Sequence, residues 1–91
     1  MRFKVEQRER VVQYVRHELT AAEQADYFAR LEQVRQRPIA ESIAVTAPRL
    51  SPYMLRGFRF AGHLALFQMD LAQGRITVLS CRRYQPGQNH P

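Results

Sequence analysis

The sequence has little cysteine and no long apolar run, and each shortage excludes a class of protein. Its one cysteine, Cys81, cannot form an internal disulfide or a cysteine-based metal cluster. Its longest apolar stretch, near Leu64–Phe67, is too short to span a bilayer. Met1 is followed by charged and apolar residues in alternation, which argues against a secretory signal. We therefore expect a cytoplasmic protein without membrane contact, metal or cofactor.

Acidic residues and lysine are also scarce. Fourteen basic residues oppose eight acidic ones, a net charge of +6, and only Lys4 is a lysine. Residues 1–41 have a net charge of +1, whereas residues 42–91 carry six arginines against Asp70 alone, a net of +5. Because arginine makes planar, bidentate contacts with phosphate and carboxylate, the second half predicts a surface for RNA, DNA or an acidic protein segment. The alternative is a charge that only keeps the protein soluble.

The length of 91 residues predicts one small domain. A chain of this size buries a modest share of its surface, so a partner that covers apolar area would stabilise it. We place the domain at residues 1–84. Residues 85–91 lack an apolar residue able to anchor them, and we expect a mobile tail there.

The first half predicts a strand and two helices. Residues 2–6 alternate polar and apolar, which indicates a strand, and residues 8–19 have apolar positions at helical spacing. Thr20 and Glu23 form a capping box that begins a second helix, and Pro38 ends it after about Arg35. Its predicted buried stripe is Ala21, Ala25, Phe28, Leu31 and Val34; that of the first helix is Val11, Val12, Val15 and Leu19. The two helices should form a hairpin.

The second half predicts strands. A connection with three prolines, which includes a possible short strand at Ser42–Thr46, leads to strands at Tyr53–Phe60, His63–Asp70 and Arg75–Arg82. The fold class is therefore α+β: an N-terminal strand, a helical hairpin and a three-stranded antiparallel meander. The helices should cover one face of the sheet, with the arginines of the second half on or around the other.

This order of elements, together with three stretches of the second half, resembles the RelE/ParE toxin superfamily. The stretches are Leu55-Arg56-Gly57-Phe58-Arg59-Phe60, Gly62 to Asp70, and Gly74 to Tyr84. The resemblance implies the toxin of a type II toxin–antitoxin system, which arrests bacterial growth and stabilises plasmids. It also implies a cognate antitoxin as partner.

The resemblance leaves the target open, because the superfamily has two branches. The ending Cys81-Arg82-Arg83-Tyr84 is similar to that of YoeB toxins, which cut mRNA on the ribosome and are RNA-binding endoribonucleases. However, Leu64 stands where that branch has an arginine, and Pro48-Arg49-Leu50 offers no equivalent of its catalytic glutamate. The middle strand, His63–Asp70, is more similar to that of the ParE branch, whose members poison DNA gyrase and have no nuclease site. A non-toxic relative that binds nucleic acid or a partner is the third hypothesis.

Eight residues are the predicted site. The candidates for catalysis are Arg82, Arg83, Tyr84 and His63; those for binding nucleic acid or a partner are Arg49, Arg56, Arg59 and Arg75. Cleavage of RNA without a metal needs cations for the phosphate and groups that move protons, which His63 or Tyr84 could supply. Adjacent strand residues point to opposite faces, so only one of Arg82 and Arg83 can serve the open face. The alternatives are that His63 is a solvated turn residue, that Tyr84 stacks on a base or covers the sheet edge, and that Arg56 and Arg59 lie on a solvated face.

Overall fold

The computed structural model describes residues 2–45, 49, 51 and 53–84. The elements in chain order are β1 (Lys4–Gln7), α1 (Glu9–Glu18), α2 (Ala21–Gln36), β2 (Ile43–Ala44), β3 (Leu55–Phe60), β4 (His63–Asp70) and β5 (Arg75–Arg83). This order confirms the α+β class and the antiparallel meander. The predicted mobile tail and much of the proline-rich connection lie outside the described residues.

All five strands belong to one sheet in the order β1-β5-β4-β3-β2. The N-terminal strand joins the meander as expected, and it runs parallel to β5. The other neighbours are antiparallel. The short strand predicted at Ser42–Thr46 is present as the two residues of β2, which pair with β3 at the far edge; Thr46 lies outside the described residues.

The capping box at the start of α2 is formed as predicted. The backbone N–H of Thr20 donates to Glu23 Oε1 over 2.8 Å, and the backbone N–H of Glu23 donates to Thr20 Oγ1 over 3.1 Å. These two bonds satisfy amide groups that the first turn of a helix leaves without a partner. Glu23 keeps its second carboxylate oxygen free for a contact with the sheet, described below.

The buried stripe of α2 differs from the prediction. Leu31 and Val34 are buried as expected, but Phe28 is 50% exposed and Tyr27 is fully buried in its place. Positions 27, 31 and 34 also follow helical spacing, so periodicity alone does not choose between them. The ring of Tyr27 lies against Phe58 and Phe60 of β3, and its hydroxyl donates to Gln7 Oε1 over 2.7 Å. That hydrogen bond lets the tyrosine be buried without loss of a partner.

The two helices cover one face of the sheet, which we call the covered face. In α1, Val11 and Val15 are buried as predicted, and Leu19 is buried just beyond its end, whereas Val12 is half-buried. They pack with alternate strand residues, namely Phe58, Phe60, Ala65, Phe67, Met69, Ile76 and Val78. The intervening strand residues lie on the opposite face, which we call the open face. Neither described helix is long and apolar enough to cross a membrane.

A β-bulge in β5 decides which of its last residues reach the open face. Phe67 pairs with Val78 and Leu66 pairs with Ser80, so Leu79 is one extra residue opposite β4. Since side chains alternate along a strand, the extra residue inverts the alternation beyond it. Cys81 packs beside the covered-face core, and Arg82 consequently lies on the open face.

Candidate functional site

Two arginines flank a leucine on the open face, near the β3–β4 turn. Leu64 pairs with Arg59 on one side and with Arg82 on the other. Both arginines are exposed, whereas Leu64 is 7% exposed although neither described helix covers this face. Directly opposed strand residues have Cβ atoms about 4.5–5.5 Å apart, so the two guanidinium groups can converge above the leucine. We call Arg59, Leu64 and Arg82 the central row.

Gly57 and Leu66 extend the apolar floor of the central row. A Cβ atom at Gly57 would lie 3.3 Å from Leu64 Cδ1 and 3.2 Å from Leu66 Cδ2. The leucine side chains therefore lean over the glycine, in space that a larger residue would occupy. No feature of the sequence indicates this role, since the glycine has an ordinary strand conformation and leucines in a meander are usually core residues.

Tyr84 completes the site from the end of β5. The guanidinium carbon of Arg59 lies 4.6 Å from the centroid of the Tyr84 ring, which is a cation–π contact. Arg59 Nη2 also donates to the Tyr84 hydroxyl over 3.2 Å. The backbone N–H of Tyr84 donates to the carbonyl of Gly62 over 2.9 Å, which ties the residue to the β3–β4 turn. Of the predicted site residues, the structure thus brings Arg59, Arg82 and Tyr84 together.

His63 lies on the covered face and is fully buried, so its interpretation as a solvated turn residue is wrong. Its Nε2 atom lies 2.9 Å from Glu23 Oε2, and its Nδ1 atom lies 2.8 Å from the Tyr14 hydroxyl. Its ring also stacks on Phe60 at 5.2 Å. With both ring nitrogens hydrogen-bonded and no exposed surface, His63 is shielded from solvent, which argues against the catalytic role predicted for it. We call Tyr14, Glu23 and His63 the buried triad.

Hydrogen bonds, burial and nearby charges shift the pKa values of two members of the buried triad, Glu23 and Tyr14. Hydrogen bonds from the backbone of Thr20 and from His63 lower the pKa of Glu23 to about 2, so Glu23 is a carboxylate that only accepts hydrogen bonds. Consequently His63 Nε2 carries a proton and donates to it. Burial raises the pKa of the Tyr14 phenol, and the charge of Arg83 offsets part of that rise.

Arg83 and Arg56 belong to the covered side of the sheet. Arg83 pairs with His63 and is exposed at the edge near Tyr14. Arg56 is 7% exposed, and its guanidinium donates to the Ser42 hydroxyl over 2.6 Å and to the Ser42 carbonyl over 3.1 Å. Contrary to the prediction, Arg56 is thus occupied in holding the connection after α2 and does not face an open surface.

The remaining two predicted arginines lie away from the central row. Arg75 is at the opposite end of the open face, where its Nη1 atom lies 3.4 Å from Glu6 Oε1. Arg49 is exposed in the connection between β2 and β3. The predicted set of eight therefore separates into one cluster of three, two residues on the covered face near the turn, Arg56 on β3 beside Ser42, Arg75 at the opposite end of the open face, and Arg49 in the connection between β2 and β3.

The cluster can bind an anion and has one group able to move a proton. Arginine stays protonated, so the Tyr84 phenol is the one acid–base group among Tyr84 and the central row. Two guanidinium groups on an apolar floor suit a phosphate or carboxylate whose neighbour is a base or an aliphatic chain. Within the described residues, no cluster of three His, Cys, Asp or Glu side chains is arranged to hold a metal ion.

Comparison with known proteins gives structural matches and no sequence matches. No family profile and no curated protein sequence matches this chain. The chain is similar to one from the archaeal RelE–RelB complex of Pyrococcus horikoshii OT3, with a TM-score of 0.73 and 13% identity over 96% of this chain and 100% of the other. The toxin–antitoxin complex RelBE2 of Mycobacterium tuberculosis gives 0.73 and 10% identity over 91% and 99%.

A third similar structure is a variant of the E. coli toxin RelE with two arginines replaced by alanine, in complex with a peptide of the antitoxin RelB. Its TM-score is 0.77 at 16% identity, over 97% of this chain and 90% of the other. Similarity at such low identity establishes the fold. This chain therefore has the fold of the RelE structures, as the resemblance predicted.

Proposed function

We propose that this chain is the growth-inhibiting toxin of a type II toxin–antitoxin pair, and that it acts through the arginine cluster on its open face. The observation that supports the proposal is that Arg59, Arg82 and Tyr84 lie near one another on the sheet face that neither described helix covers, in a RelE-like fold. A charged, exposed cluster of this kind contributes little to folding, which leaves recognition of an anion as its main physical consequence.

The target that this chemistry fits best is RNA on the translating ribosome. The arginines would neutralise a phosphate of the mRNA, and the Tyr84 phenol would either stack on a base or transfer a proton during cleavage. In the second case the chain is a metal-independent endoribonuclease. Because His63 is buried, the proton-transfer role falls to Tyr84 alone among the residues named from the sequence.

A second candidate is a gyrase poison that binds its target and catalyses nothing. The observation that favours it is Leu64 at the centre of the row, where the nuclease branch has a cation. An apolar centre between two arginines is typical of a protein-binding surface, since it combines a desolvated contact with charged neighbours.

The same face supports an antitoxin partner with an acidic, amphipathic segment. Its apolar residues would cover Leu64 and Leu66, and its carboxylates would pair with Arg59 and Arg82. The net charge of +5 on residues 42–91 would speed the encounter, so the association rate should fall as salt rises. The bound segment would also stabilise this small domain by mass action.

Induced expression in bacteria tests the proposal. We expect growth arrest, relief of the arrest on co-expression of the neighbouring reading frame, and co-purification of the two products. Primer extension on cellular mRNA and a gyrase supercoiling assay on the purified chain then separate the two targets. Normal growth while folded, soluble protein accumulates would contradict the toxin proposal, and a non-toxic binding module would become the better account.

A further inference from the structure

We infer that His63 is a positioning residue for the Arg59–Tyr84 pair, acting from the covered face of the sheet. The inference rests on the proposed function in one respect only, namely that this pair is part of the functional site. The physical link between the two faces is the β3–β4 turn, residues Ala61 and Gly62, which His63 directly follows.

The turn needs outside support to hold its shape. Both of its residues have positive φ angles, 44° at Ala61 and 78° at Gly62. Two positive φ angles suit a two-residue hairpin, but a left-handed backbone is unfavourable for alanine and persists when its surroundings fix it. The buried triad supplies such support, because it ties the first residue after the turn to both helices at once.

The hydrogen bonds of the triad lead to different helices. The bond from His63 Nε2 to the Glu23 carboxylate, 2.9 Å, involves an ionised acceptor and reaches the first turn of α2. The bond between His63 Nδ1 and the Tyr14 hydroxyl, 2.8 Å, reaches α1. Because Glu23 is also bonded to Thr20, the carboxylate itself is held in place.

The β3–β4 turn also positions the Arg59–Tyr84 pair on the open face. The carbonyl of Gly62 accepts the backbone N–H of Tyr84 over 2.9 Å, at the point where β5 ends and its pairing with β4 stops. The ring of Tyr84 then lies against the Arg59 guanidinium. If the turn shifts, Tyr84 loses its backbone hydrogen bond to Gly62, and the cation–π contact of its ring with Arg59 should be lost as well.

The test measures that contact directly by NMR in the full-length chain. The Tyr84 ring should shift the side-chain protons of Arg59 upfield, and Tyr84→Leu sets the value without a ring. We expect His63→Leu to lose most of the upfield shift. His63→Gln keeps a donor near the Nε2 position toward Glu23 and should retain most of it, whereas His63→Asn keeps only the side toward Tyr14 and should retain less.

Two further variants distinguish a loss of positioning from a general loss of stability. Tyr14→Phe removes one hydroxyl at a partly exposed position and should reduce the upfield shift by a smaller amount. Ile76→Val is the matched control, because it lowers stability at the other end of the sheet and should leave the Arg59 signals unchanged. An upfield shift in His63→Leu equal to that of the parent would overturn the inference, as would equal losses in His63→Leu and His63→Gln.

Binding of a fluorescein-labelled single-stranded RNA separates this inference from the proposed function. If the parent binds the probe, His63→Leu should weaken binding by about as much as Tyr84→Leu, while Ile76→Val should not. If the parent neither binds RNA nor arrests growth, the proposed function fails, and the NMR result still decides whether His63 positions the pair. Probe binding that is unchanged in His63→Leu, alongside a weakened Tyr84→Leu, would contradict the positioning role.

Discussion

Near the β3–β4 turn, the two faces of the sheet differ in how far their residues are buried. On the covered face, His63 is fully buried and has a hydrogen-bond partner at each ring nitrogen. One residue later, Leu64 faces outward between two exposed arginines. Arg83 and Arg82 also lie on opposite faces, although both side chains are exposed. Near this turn, the polar group of His63 is thus hydrogen-bonded inside the core on one face, whereas the arginines of the other face are exposed.

Residue type is therefore a poor guide to whether a residue serves the core or an exposed site in this small α+β domain. Histidine is the residue most often chosen for proton transfer near neutral pH, yet here it is enclosed. Leucine is usually a core residue, yet here it forms the floor of an exposed site. The position of a residue relative to the helices, more than its chemistry, decides whether it can reach a ligand.

The largest expected effect is a loss of stability on the covered face. Tyr27→Ala should lower the free energy of unfolding by about 3–5 kcal/mol, because it removes a fully buried ring packed on Phe58 and Phe60. Phe28→Ala is the matched control on the same helix, and it should change that energy by less than about 1 kcal/mol because its ring is half exposed. Urea unfolding measures both, and similar losses would show that Phe28 is also part of the core.

The next effect separates the two arginines. Arg82→Ala should weaken binding of a single-stranded RNA probe by roughly 1.5–3 kcal/mol, or about 10- to 150-fold, through loss of a charged contact. Arg83→Ala removes the same charge from the other face and should weaken binding by less than about threefold at 0.15 M salt, where distant charges are screened. Fluorescence anisotropy gives both values. Equal weakening would mean that overall charge, not the open face, attracts the RNA.

The fold was predictable from the sequence because turn and capping residues mark the bounds of its elements. Alternation identified β1, apolar runs between turn residues identified β3, β4 and β5 to within two residues at each end, and the capping box marked the start of α2. The buried stripe of α2 was not predictable, because Tyr27 and Phe28 both complete a helical pattern with Leu31 and Val34. Only the shape of the pocket between Phe58 and Phe60, together with the acceptor on Gln7, distinguishes them.

The candidate site was predictable in composition but not in geometry. The sequence indicated Arg59, Tyr84 and one of the two adjacent arginines, and it could not say which. That choice depends on the bulge at Leu79, whose sequence carries no glycine or proline to mark it. The burial of His63 was equally hidden, because its partners Tyr14 and Glu23 are 49 and 40 residues away along the chain.

A smaller effect is expected from the phenol of Tyr84. Tyr84→Phe keeps the ring over Arg59 and loses one hydrogen bond, so RNA binding should weaken by only about 0.5–1.5 kcal/mol. If the phenol transfers a proton, mRNA cleavage in primer extension should nevertheless disappear. If Tyr84 only stacks on a base, cleavage should persist in Tyr84→Phe and be lost in Tyr84→Leu, which removes the ring.

The smallest effect is a pH dependence that arises on the covered side. The pKa of Glu23 is about 2 in the folded chain, below the ordinary value of 4.5, because Thr20 and His63 donate hydrogen bonds to its carboxylate. A folded-state pKa that is depressed means that the unfolded chain binds the proton more readily. The stabilisation by Glu23 is therefore present above about pH 4.5 and is lost as the pH falls from there toward 2.

Glu23→Gln should reveal this contribution in urea unfolding at a series of pH values. Above pH 5 the variant should be less stable than the parent by a constant amount, and the difference should shrink as the pH falls through the range from 4.5 to 2. Glu32→Gln is the matched control: hydrogen bonds from Gln36 and Arg2 also lower the pKa of Glu32, but this residue lies on the outer surface of α2. Since salt screens exposed charges, 0.5 M NaCl should remove most of the effect of Glu32→Gln and less of the effect of Glu23→Gln. Equal sensitivity to salt would show that the contact between Glu23 and His63 is no more protected from water than a surface ion pair.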